Sequence, residues 1–322
     1  MDGLEEVRLK ALAEYRHLFE EPGRFLCLTG EEVTATWGAG DADRTHWINV
    51  YNAPSALGRQ DGHADSQAAL QAAFIAAGAA GRSSARETAV YLNHPNFRWN
   101  ASAEDIAAAT RLRHLEIYTA LDMCHTYGNE VHASAERIWD VALSLRLAAG
   151  DGPLIYGLAT DDCHAYYPHE TLGSTAMPGR AWVQVRSAHL TPDHLIGAIN
   201  RGDFYGSTGV ELSEIQVDGG ALRIEVAACE GVQYKTRFIG TRQGANLSAE
   251  PVVDADGNQL RTTRRYGDAI GQVLAEVEGV APIYSLVGDE LYVRAVVCAD
   301  VPHPHPTTPG EVQKAWVQPI QP

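Results

Sequence analysis

Lysine is nearly absent from this chain of 322 residues. Only Lys10, Lys235 and Lys314 occur, and the net charge is −16. No run of bases exists to follow a phosphate backbone, which excludes nucleic acid as a partner. Cysteine is equally uninformative as a framework. Five residues (Cys27, Cys124, Cys163, Cys229, Cys298) are odd in number and form no Cys-x-x-Cys pair, against a disulfide scaffold or a thiolate zinc knuckle. No apolar run approaches the roughly 20 residues of a membrane span. The first residues, MDGLEEVRLKALAEYRHLF, are charged and helical in pattern rather than a signal peptide. The chain as given therefore reads as cytoplasmic, or as secreted if a leader preceded it. There is no Gly/Ser linker and no internal repeat.

What is present is a core-forming composition, 45% hydrophobic and 20% charged. Between residues 25 and 210, short apolar runs alternate with helical patterns. The runs are FLCLTG (25–30), HWINVYN (46–52), AVYLN (89–93), HLEIYT (114–119), PLIYGLAT (153–160) and AWVQVRS (181–187). Their continuous apolar character predicts strands buried on both faces of a parallel sheet. Helix starts are marked by Ser102 with Asp105, by Ser134, and by Thr191-Pro192; Gly150 and Gly202 mark stops. The expectation is an α/β domain over 1–210, either a barrel or a doubly wound sheet. After residue 210 the period becomes two: Leu222, Ile224 and Val226, then Leu291, Val293, Ala295 and Val297, with turns at Asp218-Gly219-Gly220 and Asp256-Gly257. This predicts a smaller all-β, sandwich-like domain over 211–322.

Metal-capable side chains fall at the ends of the predicted strands. Glu32 follows FLCLTG, His94 follows AVYLN, Asp162 and His164 follow IYGLAT, and His46 opens HWINVYN. Loops at strand carboxyl ends build active sites in α/β barrels. Two histidines and two carboxylates there, with a further histidine at a strand edge, suit a divalent cation with nitrogen and oxygen ligands. Among the cysteines only Cys163 joins this set, with its side chain expected to point away from its neighbours. Other candidates read as bland. His63, His114, His125, His132, His169 and His189 are expected on the surface or in loops, with His125 and His132 the two that could line a pocket mouth. His303-Pro304-His305 and Asp193-His194 are expected decoys. GSTG (206–209) lacks the lysine of a phosphate loop, Ser207 lacks a base, and Trp99, Trp139 and Trp182 read as core or pocket wall.

The ordered set Gly30-Glu31-Glu32, THWINVYN, YLNHPNFRW, HLEIY, GLATDDCH and FYGSTG resembles the polymerase-and-histidinol-phosphatase superfamily of metallohydrolases. The forms HPN, TDDCH and the closing KAWVQP are most similar to its carbaryl-hydrolase-like branch. The resemblance implies a distorted (β/α) barrel with one to three divalent ions (zinc, manganese or iron). Glu32 would bridge two metals, His46 and His94 would complete the second metal's shell, Asp162 would ligate the first and His164 the third. Glu116 would be a ligand or an orienting neighbour. Asp162 or His164 would position a water or pass a proton. Ahead of Glu32 the family's His-x-His and Thr-Asp-His motifs are missing, which implies a barrel lacking its first two strands. The resulting expectation is a hydrolase of small-molecule esters, carbamates or phosphoesters. The rival is a non-catalytic or decayed binding or assembly protein, with an oligomer covering the gap.

Overall fold

The computed structural model describes residues 8, 10–38, 44–150, 152–164 and 177–322. His169 lies outside them. The chain is mixed α/β with several sheets and is mostly strand. No described helix is long and apolar enough to cross a membrane.

The first half contains α1 (Leu12–Tyr15), β1 (Gly30–Trp37), β2 (Thr45–Tyr51), β3 (Gln60–His63), α2 (Ser66–Ser83), β4 (Ala89–Leu92), α3 (Ala103–Ala108), β5 (His114–Thr119), α4 (Ala135–Ala149) and β6 (Tyr156–Thr160). Six of its strands form one open sheet in the order β3-β1-β2-β4-β5-β6, and among the described residues no sheet closes on itself. β4, β5 and β6 run parallel as expected, and β3 runs parallel to β1; β1 and β2 form an antiparallel hairpin, and β2 is antiparallel to β4. The strand expected over 25–30 begins at Gly30 instead. The apolar run at 25–30 was the weaker signal. Val33, Ala35 and Trp37 alternate with Glu32, Thr34 and Thr36, the period of a strand with one face buried.

The helix signals hold. Ser102 and Asp105 form a capping box on α3, and Ser134 caps α4; α2, which the sequence reading did not mark, is capped by Asp65, whose Oδ1 accepts the Ala68 N–H. Gly202 ends α5 (Pro192–Arg201) at φ 81°, and a Cβ there would lie 2.4 Å from the Tyr156 ring. Glycine is demanded by conformation and by space together.

The remaining strands are β7 (Trp182–Val185), β8 (Phe204–Ser207), β9 (Leu212–Asp218), β10 (Ala221–Val226), β11 (Tyr234–Arg242), β12 (Ala249–Glu250), β13 (Arg265–Tyr266), β14 (Gln272–Glu278), β15 (Ile283–Ser285), β16 (Glu290–Pro302) and β17 (Val312–Ile320). A second six-stranded sheet has the order β14-β11-β16-β17-β8-β7, and β15-β10-β9 form a third. Leu222, Ile224, Phe238, Tyr284, Val293, Val297 and Val317 make their shared core. The strand expected over 181–187 lies in this sheet and not in the first: β7 pairs antiparallel with β8, and β8 joins β17. The edge of β6 is already occupied. The Gln318 side-chain amide accepts the Gly157 N–H and donates to the Gly157 carbonyl, each at 2.8 Å, as a strand would.

Helix α4 is gripped from the second sheet. Arg294 on β16 donates Nε and Nη2 to the two oxygens of Asp140 at 2.8 and 2.7 Å, and Tyr292 donates to the same carboxylate at 2.7 Å. The guanidinium lies 4.7 Å from the Trp139 ring centre. Arg137, also on α4, donates to the carbonyls of Tyr266, Gly267 and Ile270. Removing one member of a buried, hydrogen-bonded ion pair strands the other charge. Arg294→Ala is expected to lower unfolding stability by about 3–5 kcal/mol, read as a shift in the urea midpoint. Arg294→Met in an Asp140→Leu background is expected to recover much of that loss.

Candidate metal centre

Side chains of successive strand residues leave opposite faces of a sheet. In the first sheet, Val33, Ile48, Val50, Leu92 and Leu115 face α2, α3 and α4 and build the core. Glu32 sits opposite Asn49, and Asn49 opposite Tyr91. These residues, with Glu116 next to Leu115, share the other face. His46 has the parity of Ile48 and Val50 and is therefore on the helix side. Its Nε2 is 2.9 Å from Ser66 Oγ, and its ring stacks on Trp37 at 4.3 Å. The structure does not bring His46 to the other candidates; alternation along β2 forbids it.

The remaining candidates converge at the carboxyl ends of β4, β5 and β6. Asn93 Nδ2 donates to Glu32 Oε1 at 2.6 Å. The His94 backbone N–H and the Thr119 hydroxyl donate to Glu116 Oε2 at 2.8 and 3.0 Å. One ring nitrogen of His94, Cys124 Sγ and a carboxylate oxygen of Asp162 lie within 4.8 Å of one another. Cys124 Sγ is 3.6 Å from Asp162 Oδ2, and His94 Nε2 is 3.9 Å from Glu32 Oε1. His164 Nδ1 is 2.8 Å from the Asp162 carbonyl oxygen, to which it donates. Glu116, ranked lowest from sequence, sits directly beneath the His94 backbone.

The electrostatics of this corner favour a cation. Burial raises the Glu32 carboxyl above its ordinary range, and the charge of Asp162 adds to the rise, while the Asn93 hydrogen bond opposes it. Burial pushes Glu116 up to about 8, against the hydrogen bonds from His94 and Thr119. Burial also lowers His94, so its approach to Glu32 is not an ion pair. Carboxylates crowded without a counter-cation are what a divalent ion relieves. His94 Nδ1 and Asn93 Oδ1 are buried and have no hydrogen-bond partner among the described residues. Such orphaned acceptors in a carboxylate cluster fit a metal.

The backbone points to the same place. Of the seven non-glycine residues with positive φ among the described residues, five are His94, Arg98, Trp99, His125 and Asp162. Left-handed backbone at non-glycine residues costs about 1–3 kcal/mol each and collects at functional sites. Trp99 carries the rings of both His125 and His132, stacked at 4.7 and 3.9 Å.

Cys124 was missed from sequence, where Cys163 stood for the thiols. The available signal was position, because Cys124 lies in the turn after β5, at the strand end that selects His94 and Asp162. His114 also departs from expectation. It is buried within β5, its ring nitrogens 3.3 and 3.0 Å from the carbonyls of Val90 and Ile199. His303 is held by Arg180 O and the His305 N–H, which leaves neither ring nitrogen for a metal. Ser207 donates to the Val210 carbonyl and meets no base among the described residues.

A scan against protein-family models finds no match for this chain, and searches of curated proteins and of solved structures find no significant match.

Two buried histidines outside the cluster set a pH dependence. Burial lowers His46 to about 3 and His114 to about 4. Both are neutral when folded, and each takes up a proton on unfolding below about pH 6.5. Their contribution is complete above that pH and is lost as pH falls toward 4, by up to about 1.4 kcal/mol per pH unit for each. Glu116 has the opposite sign: its contribution is complete below about pH 4.5 and is lost as pH rises through about 8. Urea midpoints measured from pH 4 to 6.5 are expected to rise with pH. His114→Gln is expected to remove one histidine's share of that slope; an unchanged slope would contradict a neutral buried imidazole.

Proposed function

We propose that this chain is a metal-dependent hydrolase of small-molecule esters, carbamates or phosphoesters, related to the polymerase-and-histidinol-phosphatase superfamily, with its first sheet an incomplete barrel. The observation that carries the reading is the convergence of His94, Cys124 and Asp162 from three adjacent strand ends, beside Glu32. His94, Asp162 and Glu32 would hold a divalent ion, which when bound lowers the pKa of a coordinated water and polarises the scissile carbonyl or phosphoryl group.

The chain's own residues supply orientation and proton handling. Glu116 accepts the His94 backbone N–H and fixes that residue in its strained conformation, at φ 20°. Asn93 orients Glu32 through its amide. His164 donates from Nδ1 to the Asp162 carbonyl, which leaves Nε2 as the basic nitrogen on a largely exposed ring. That tautomer can take a proton from an attacking water and return it to a leaving group. Glu32 is half exposed, so the carboxylate edge of the cluster is open to a small molecule.

The test is metal content by plasma mass spectrometry after incubation with Mn²⁺, Zn²⁺ or Fe²⁺ and desalting. Wild-type protein is expected to retain at least one ion per chain and to hydrolyse a member of an ester, carbamate and phosphoester panel. His94→Ala is expected to lose both. His164→Gln is expected to keep the metal while kcat falls about 10²–10⁴-fold, the usual worth of a general base. No retained ion under any of these conditions would sink the reading.

A further inference from the structure

We infer that Cys124 is a thiolate ligand of this centre, and that the site selects a borderline-soft ion of the zinc class over manganese or magnesium. The inference rests on the metal reading above and names the class of ion and the ligand that decides it.

Its Sγ is buried at the end of β5 and lies 3.6 Å from Asp162 Oδ2. That separation already matches the roughly 3.5 Å between two ligands of a tetrahedral ion whose bonds are about 2.0–2.3 Å long. No separation in the trio exceeds 4.8 Å, so closing around an ion asks for at most about 1.3 Å of side-chain movement. A second observation is independent of the cysteine. His94 is 8% exposed, its Nδ1 meets no partner among the described residues, and one of its ring nitrogens belongs to the same trio. A buried thiol beside a carboxylate would otherwise donate only a weak S–H bond. An ion accounts for the mutual approach of all three side chains.

Ligand chemistry then sets the selection. Oxygen-only sites suit magnesium and manganese, whereas thiolate with imidazole suits zinc, cobalt or ferrous iron. On binding, the thiol proton leaves to solvent and a sulfur lone pair forms the bond to the ion, with no change of oxidation state. Cys163, adjacent to Asp162 in sequence, is the natural control because it is not part of the trio.

The experiment uses the full chain stripped by a chelator and reloaded. Cobalt(II) is expected to give a thiolate-to-metal charge-transfer band in the near ultraviolet. The band should persist in Cys163→Ser and disappear in Cys124→Ser while cobalt is still retained. With equimolar Zn²⁺ and Mn²⁺, wild type is expected to retain zinc by about tenfold or more, and Cys124→Asp to reduce that preference. X-ray absorption at the zinc edge of the wild-type protein needs no variant and should show one sulfur at about 2.3 Å. Retained cobalt without the band, a band that follows Cys163, or zinc with only nitrogen and oxygen neighbours would each overturn the thiolate assignment while leaving the hydrolase reading intact. Failure to retain any ion would overturn both.

Discussion

Successive side chains of β1, β2, β4 and β5 leave opposite faces of the first sheet, and the rest of the molecule is arranged around that division. One face is apolar and is covered by α2, α3 and α4. The other gathers Glu32, Asn49, Tyr91 and Glu116, with Asn93 and His94 continuing past the end of β4. A one-residue slip in any of these pairings would send a carboxylate into the helix-packed core and an aliphatic side chain toward the site. The buried faces thus hold the register, and the register holds the donors together.

The second sheet contributes to the site without carrying its donors. It grips α4 through the Arg294–Asp140 pair and closes the edge of β6 through Gln318. The first residue of α4, Ala135, donates its N–H to the Thr126 carbonyl beside the turn that carries Cys124 and His125, and β6 runs directly into Asp162. Anchoring the helix and the strand therefore anchors the two segments that bring sulfur and carboxylate together. Tyr127, in that same turn, donates to Glu311 at 2.5 Å and adds a third tie. Buried polar contacts of this kind are costly to desolvate, and they return specificity of position rather than bulk stability.

The candidate site is crowded in charge and unusual in backbone. Glu32 and Glu116 are pushed toward the protonated form by burial and by Asp162, and His94 and Asp162 sit at positive φ. Strain of this order persists only where surrounding contacts over-determine it. Here those contacts are the Asn93–Glu32 and His94–Glu116 bonds and the stack of His125 and His132 on Trp99.

Local chemistry was readable from the chain alone. Ser102 with Asp105, Ser134 and Gly202 mark helix ends because capping is a contact between near neighbours. The change of period after residue 210 announces strands for the same reason. His94, Asp162 and His164 could be chosen because a strand end is a local property. Which face a residue takes, and what lies across from it, are not local. His46 was lost to the helix side by the register of β2 against β1, and Cys124 was gained when the turn after β5 folded onto Asp162. β7, expected in the first sheet, pairs instead with β8, and at Gly157 the β6 backbone is met by a glutamine more than a hundred residues later. The sequence by itself determined where helices stop and which residue types stand at strand ends. Only the tertiary structure decided which of them meet, because pairing register and edge occupancy are set by contacts between distant segments.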